Sequence, residues 1–86
     1  MKLLLAVALA ASSAACTQPR SARCKTVCAR EAECLSATNS SVPFDEKECV
    51  ASCSMLEQDQ ANLAQVERHA ECVMKQAACA AVVACQ

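Results

Sequence analysis

"CKTVC" (residues 24–28) and "CVASC" (residues 49–53) repeat one spacing, two cysteines separated by three residues, at two places in an 86-residue chain. On a helix, residues four apart share a face and sit about 40° and 6 Å from each other. Two such helices laid antiparallel close two bridges, outer to outer and inner to inner: Cys24 to Cys53 and Cys28 to Cys49. Both pairs are centred on the same point, between Thr38 and Asn39. That point falls inside "TNSSVP" (38–43), a polar segment whose proline biases its neighbour away from helix. Spacing and breaker together predict a disulfide-stapled helical hairpin. Alanines at 22, 29, 32 and 51 permit the close approach that a disulfide requires, with Cα atoms within about 7 Å.

The rest of the body fits an all-α fold. The chain holds nine cysteines, one aromatic residue (Phe44) and no glycine. A chain this short buries little apolar surface, so small exported domains commonly add covalent staples. Without glycine, P-loops and Rossmann turns are excluded, and tight β-hairpins lose their preferred turn residue. Ala, Glu, Gln, Lys, Arg and Leu, all helix formers, dominate instead. Helix one is expected from an N-cap at Ser21 to about Ser36, and helix two from Asp45, which forms a capping box with Glu48. After "EQDQ" (57–60), Leu63, Val66, Ala70, Val73 and Ala77 recur at helical steps of three and four. The terminal "ACAAVVAC" (78–85) is too short for a membrane span and reads as core. Phe44, Val50, Leu56, Leu63, Val66, Val73, Val82 and Val83 are expected to supply much of that core.

Four cysteines remain in the body. Cys34 lies ten residues after Cys24, roughly 100° round the helix from the hairpin seam, and so points toward a third element. It is expected to bridge one of Cys72, Cys79 and Cys85, leaving the other two for each other. On one unbroken helix Cys72 and Cys79 would be about 10 Å apart and Cys79 and Cys85 about 9 Å, beyond disulfide reach. Full pairing therefore predicts a break within "MKQAA" (74–78), although no glycine or proline marks it. The carboxyl-terminal part is then one long helix or, with the break, two shorter ones.

The twin spacing resembles the twin-CX3C helical hairpins of small mitochondrial import chaperones and of plant α-hairpinin inhibitors, over Cys24 to Cys53 only. A different resemblance marks the start of the chain. "MKLLLAVALA" has one cation, Lys2, ahead of an apolar run from Leu3 to Ala11, the pattern of a secretory signal. Ser13-Ala14-Ala15-Cys16 resembles the lipobox of bacterial lipoproteins, with Ser13 where leucine is commonest. That resemblance implies cleavage before Cys16 and attachment of a diacylglycerol, with palmitate-type acyl chains, to its sulfur. Parity supports it. Ordinary cleavage at the small residues Ser13 and Ala15 leaves nine cysteines and one unpaired thiol, whereas lipidation of Cys16 leaves eight. The organisation read from the chain is a signal peptide (1–15), a lipidated tether (16–21) and a cysteine-rich helical domain (22–86). Several acyl chains on one residue meet the two-anchor requirement for stable attachment. Thr17, where inner-membrane lipoproteins often carry aspartate, implies the outer membrane by the same resemblance. The alternative is a soluble secreted or periplasmic protein.

Formal net charge is −1, or −2 without Lys2. No basic run and no stacking aromatics are present, so nucleic acid is not an expected partner. His69 is the only histidine, one turn before Cys72. As a metal ligand or catalytic base it would need an orienting third group and a pocket, and it is read as a surface histidine beside a bridged cysteine. No nucleophile-turn signature and no C-x-x-C redox motif occurs. Neither an enzyme nor a cofactor is expected.

The leading functional expectation is a lipid-anchored cell-envelope protein with a structural or protein-interaction role and an unknown protein partner. One alternative is metal binding: helical CX3C thiolates suit Cu(I) or Zn, as in exported bacterial copper-storage bundles that the spacing also resembles. Its ligands would be Cys24, Cys28, Cys49, Cys53, His69 and Cys72, with Met55 and Met74 as further donors. A second alternative is a hairpin-type inhibitor, whose specificity loop would be "ATNSSVPF" (37–44).

Overall fold

The computed structural model describes residues 20–85, and among them the chain is all helix and connection, with no strand. The expected signal peptide, Cys16 and the first part of the expected tether lie outside the described residues. Four helices follow in order: α1 (Ala22–Ala37), α2 (Glu46–Gln58), α3 (Gln60–Lys75) and α4 (Cys79–Val83).

The boundaries of α1 and α2 and the start of α3 have local chemical causes. Ser21 caps α1, its side chain accepting the Cys24 N–H. At the other end Thr38 is the C-cap, and Asn39 takes φ 53°, the left-handed region that usually falls to glycine. The Asn39 N–H donates to the Ser36 carbonyl and the Ser40 N–H to the Leu35 carbonyl, the reciprocal pair of a Schellman motif. Asp45 caps α2 as expected, accepting the Lys47 and Glu48 N–H groups.

The break between α2 and α3 is tighter than "EQDQ" implies. Asp59 alone makes it: its backbone is extended, it closes α2, and its carboxylate accepts the Ala61 N–H to open α3. Glu57, Gln58 and Gln60 therefore belong to helices. The break after α3, at Gln76–Ala78, lies in the expected segment and has no local breaker. Arg30 of α1 caps it, its guanidinium reaching the Gln76 and Ala77 carbonyls at 3.5 and 3.3 Å, and the Cys34–Cys79 and Cys72–Cys85 bridges hold the returning segment.

Helices α1 and α2 run antiparallel, and α3 packs on both. The short α4 folds back against α1 and α3. Two disulfides staple the hairpin, Cys24–Cys53 and Cys28–Cys49, with Cα separations of 5.7 and 5.9 Å. Two more hold the carboxyl-terminal end: Cys34–Cys79 at 4.8 Å and Cys72–Cys85 at 6.0 Å. All eight cysteines of the described body are thus paired.

The core is smaller and richer in sulfur than the apolar pattern implies. One cluster joins Cys24, Cys28 and Val50; the other joins Val27, Cys34, Ala70, Val73 and Val82. Phe44, Leu56 and Val83, expected inside, are 37%, 45% and 38% exposed, and Leu63 is half-buried. Disulfides draw the helices too close for bulky seams, so cysteine, alanine and valine fill the interior and the larger side chains are displaced to its edges.

Candidate interaction site

The amino-terminal end of α1 is tied down by α2. Ser54, buried within α2, accepts the Ser21 N–H at 3.1 Å, and Arg23 pairs with Glu57 at 3.4 Å. These contacts, with the two hairpin staples, fix the register of α1 on α2. Helix α3 lies across that hairpin, leaving a groove of about 380 Å³ where the three helices meet the α1–α2 loop.

Val27, Phe44, Leu56, Val66 and Ala70 make the apolar wall of the groove, and the Cys28–Cys49 bridge lines it. The displacement of Phe44 and Leu56 from the core is therefore what builds it. Its polar lining includes Ser52, Gln65 and a pair that joins α3 to α1: His69 Nε2 stands 3.1 Å from Glu31 Oε1. The side chains of His69 and Glu31 are 34% and 22% exposed, so His69 is half-buried and partnered rather than a plain surface residue. Nothing local in the sequence signals this pairing, because the two residues are 38 positions apart. Arg30, Asn39 and Ser54 also carry structural roles that patterning did not assign. Of the three, only Asn39 had a signal, its place at the hairpin midpoint.

Of the thiolate ligand set considered from the sequence, Cys24, Cys28, Cys49, Cys53 and Cys72 are each half of a disulfide. A metal takes the thiolate, not the bridged sulfur. His69 faces Glu31 and not Cys72, and Met55 and Met74 are exposed. Among the described residues no group of three or more His, Cys, Asp or Glu side chains is disposed to hold a metal ion. The 37–44 loop is exposed apart from half-buried Ser40, with Val42 62% exposed at its outer edge and Phe44 turned into the groove lining.

Disulfides form and persist in oxidising surroundings, so four of them in so short a domain point to an extracellular or otherwise oxidising compartment. No helix of the described residues is long and apolar enough to cross a membrane. Comparison with protein-family models, with curated proteins and with solved structures finds no match to this chain.

Proposed function

We propose that this chain is a non-enzymatic lipoprotein of the bacterial cell envelope, held at the outer membrane through Cys16 and acting by contact. The observation that carries the reading is the pairing of all eight body cysteines with one another, which leaves Cys16 as the odd thiol at a lipobox-like site. An exposed thiol in an oxidising compartment is prone to adventitious pairing, and acylation removes it. The stapled hairpin is a rigid support, and the apolar groove with its Glu31–His69 pair favours a protein partner over a reaction. Glu31 orients His69 as a base would need, but nucleophilic chemistry also requires a nucleophile beside its other ring nitrogen: the eight body thiols are bridged, and among the described residues no hydroxyl is hydrogen-bonded to the His69 ring.

The test is the intact mass of protein taken from its native membrane, before and after reduction, with thiol alkylation at each stage. The expected species carries a diacylglycerol and resists alkylation until reduced. It then gains two hydrogens per bridge across four bridges. Thiols that alkylate without reductant once a chelator is added would overturn this reading in favour of a thiolate metal carrier.

A further inference from the structure

The hairpin has a second groove, formed by α1, α2 and the residue leading into α1, without α3. It measures about 560 Å³ and is lined by Arg20, Lys25, Lys47, Glu46 and Val50. None of its three cations has an ion-pair partner among the described residues; the same holds for Arg68 and Lys75, while Arg23 and Arg30 are paired with Glu57 and Glu33. Charge is unevenly spread between this groove and the rest of the domain. This groove collects three of the seven cations of residues 20–85 and one of their nine carboxylates, leaving four cations and eight carboxylates elsewhere. A domain of net negative charge thus presents one locally positive face.

The position of that face relative to Cys16 gives it a partner. Arg20 is only four positions after Cys16, so covalent geometry alone keeps their Cα atoms within about 14 Å. If that residue sits at the lipid surface, the basic groove is held against it, at a distance comparable with the Debye length of about 8 Å at physiological ionic strength.

Resting on the lipid-anchored reading above, we infer that the Arg20–Lys25–Lys47 groove docks on the anionic phospholipid headgroups of the membrane that holds the anchor. The partner is a phosphate-bearing lipid surface rather than a protein. Docking there orients the molecule: the α1–α2 face lies on the membrane, and α3, which contributes no residue to this groove, is left out of the contact. The apolar groove between α3 and the hairpin then stays open for a protein partner. Each cation near an anionic surface strengthens attachment roughly fivefold, and the effect is screened by salt.

Amine labelling of the native lipidated protein tests this directly, because Lys75 at the end of α3 serves as a control within the same molecule. The protein is reconstituted into vesicles of phosphatidylcholine alone, or of phosphatidylcholine with one third phosphatidylglycerol. In the anionic vesicles Lys25 and Lys47 are expected to label about fivefold more slowly than in neutral ones, with Lys75 unchanged. High salt should restore their rates, and Arg20→Gln should weaken the protection. Equal rates for all three lysines in both vesicles would overturn the docking while leaving the anchor intact. Absence of lipid from the intact mass would instead overturn the anchor, and with it the geometry on which docking depends.

Discussion

Asn39 adjoins the point about which both hairpin bridges are symmetric, and its backbone does there what glycine commonly does at helix ends. A left-handed residue with a Cβ costs roughly 1–2 kcal/mol unless its side chain tolerates the region, and asparagine is among the few that do. In a chain without glycine the choice is close to forced. Asn39→Gly is expected to change stability by less than about 0.5 kcal/mol, whereas Asn39→Val should cost about 1–2 kcal/mol. Chemical denaturation of the oxidised protein measures both. Equal stability of the two variants would mean that the Schellman turn does not depend on this residue. Ser54 and Arg30 act on the same scale but over long sequence separations: one satisfies the first N–H of the α1 cap, the other the carbonyls of the α3–α4 break.

At the scale of elements, α1 and α4 are held for opposite reasons. Helix α1 has a side-chain N-cap, a Schellman end and contacts with every other helix. Helix α4 spans five residues, far below the length at which a helix persists in water, and has no side-chain cap. It is kept in place by Val82 in the core, by Arg30 at its entry and by bridges from Cys79 to Cys34 and from Cys85 to Cys72. The double substitution Cys72→Ser with Cys85→Ser opens a short loop and should lower stability by roughly 3 kcal/mol. The loss should concentrate at the carboxyl end: amides of 79–85 gain rapid hydrogen exchange while those of 24–34 and 49–56 stay protected. Uniform loss of protection would show instead that the four helices unfold as one unit.

For the molecule as a whole, covalent links replace the hydrophobic core that its length denies it. The buried apolar interior is a few valines, one alanine and bridged cysteines. Each bridge contributes about 3 kcal/mol by restricting the unfolded chain. Four of them are comparable with the roughly 5–15 kcal/mol by which whole domains are stable. Full reduction should therefore abolish the cooperative thermal transition and most of the far-ultraviolet helical signal at room temperature. Retention of a sharp transition in reductant would mean that packing alone suffices. Among the described residues, the same economy of core leaves Phe44, Leu56 and Val42 outside it, available for the groove and the loop beside it.

Helix positions, the hairpin and its two bridges were legible from residue order because each depends on short-range chemistry. Capping at Ser21 and Asp45, the i, i+4 geometry of twin CX3C and the proline-ended loop operate within a few positions of one another. The need for a break near residues 75–78 was legible too, but only through the distance a disulfide tolerates. Which of Cys72, Cys79 and Cys85 meets Cys34 was not, since three partners satisfied the same rotation and only the return of α4 across α1 selects Cys79. The Glu31–His69 pair, the Arg30 clamp and the clustering of Arg20, Lys25 and Lys47 were likewise hidden, each joining segments far apart in sequence. Periodicity reports which face of a helix is apolar; it does not report how closely two helices approach. That distance, imposed here by sulfur, decided which apolar residues were buried and which were left to line a surface.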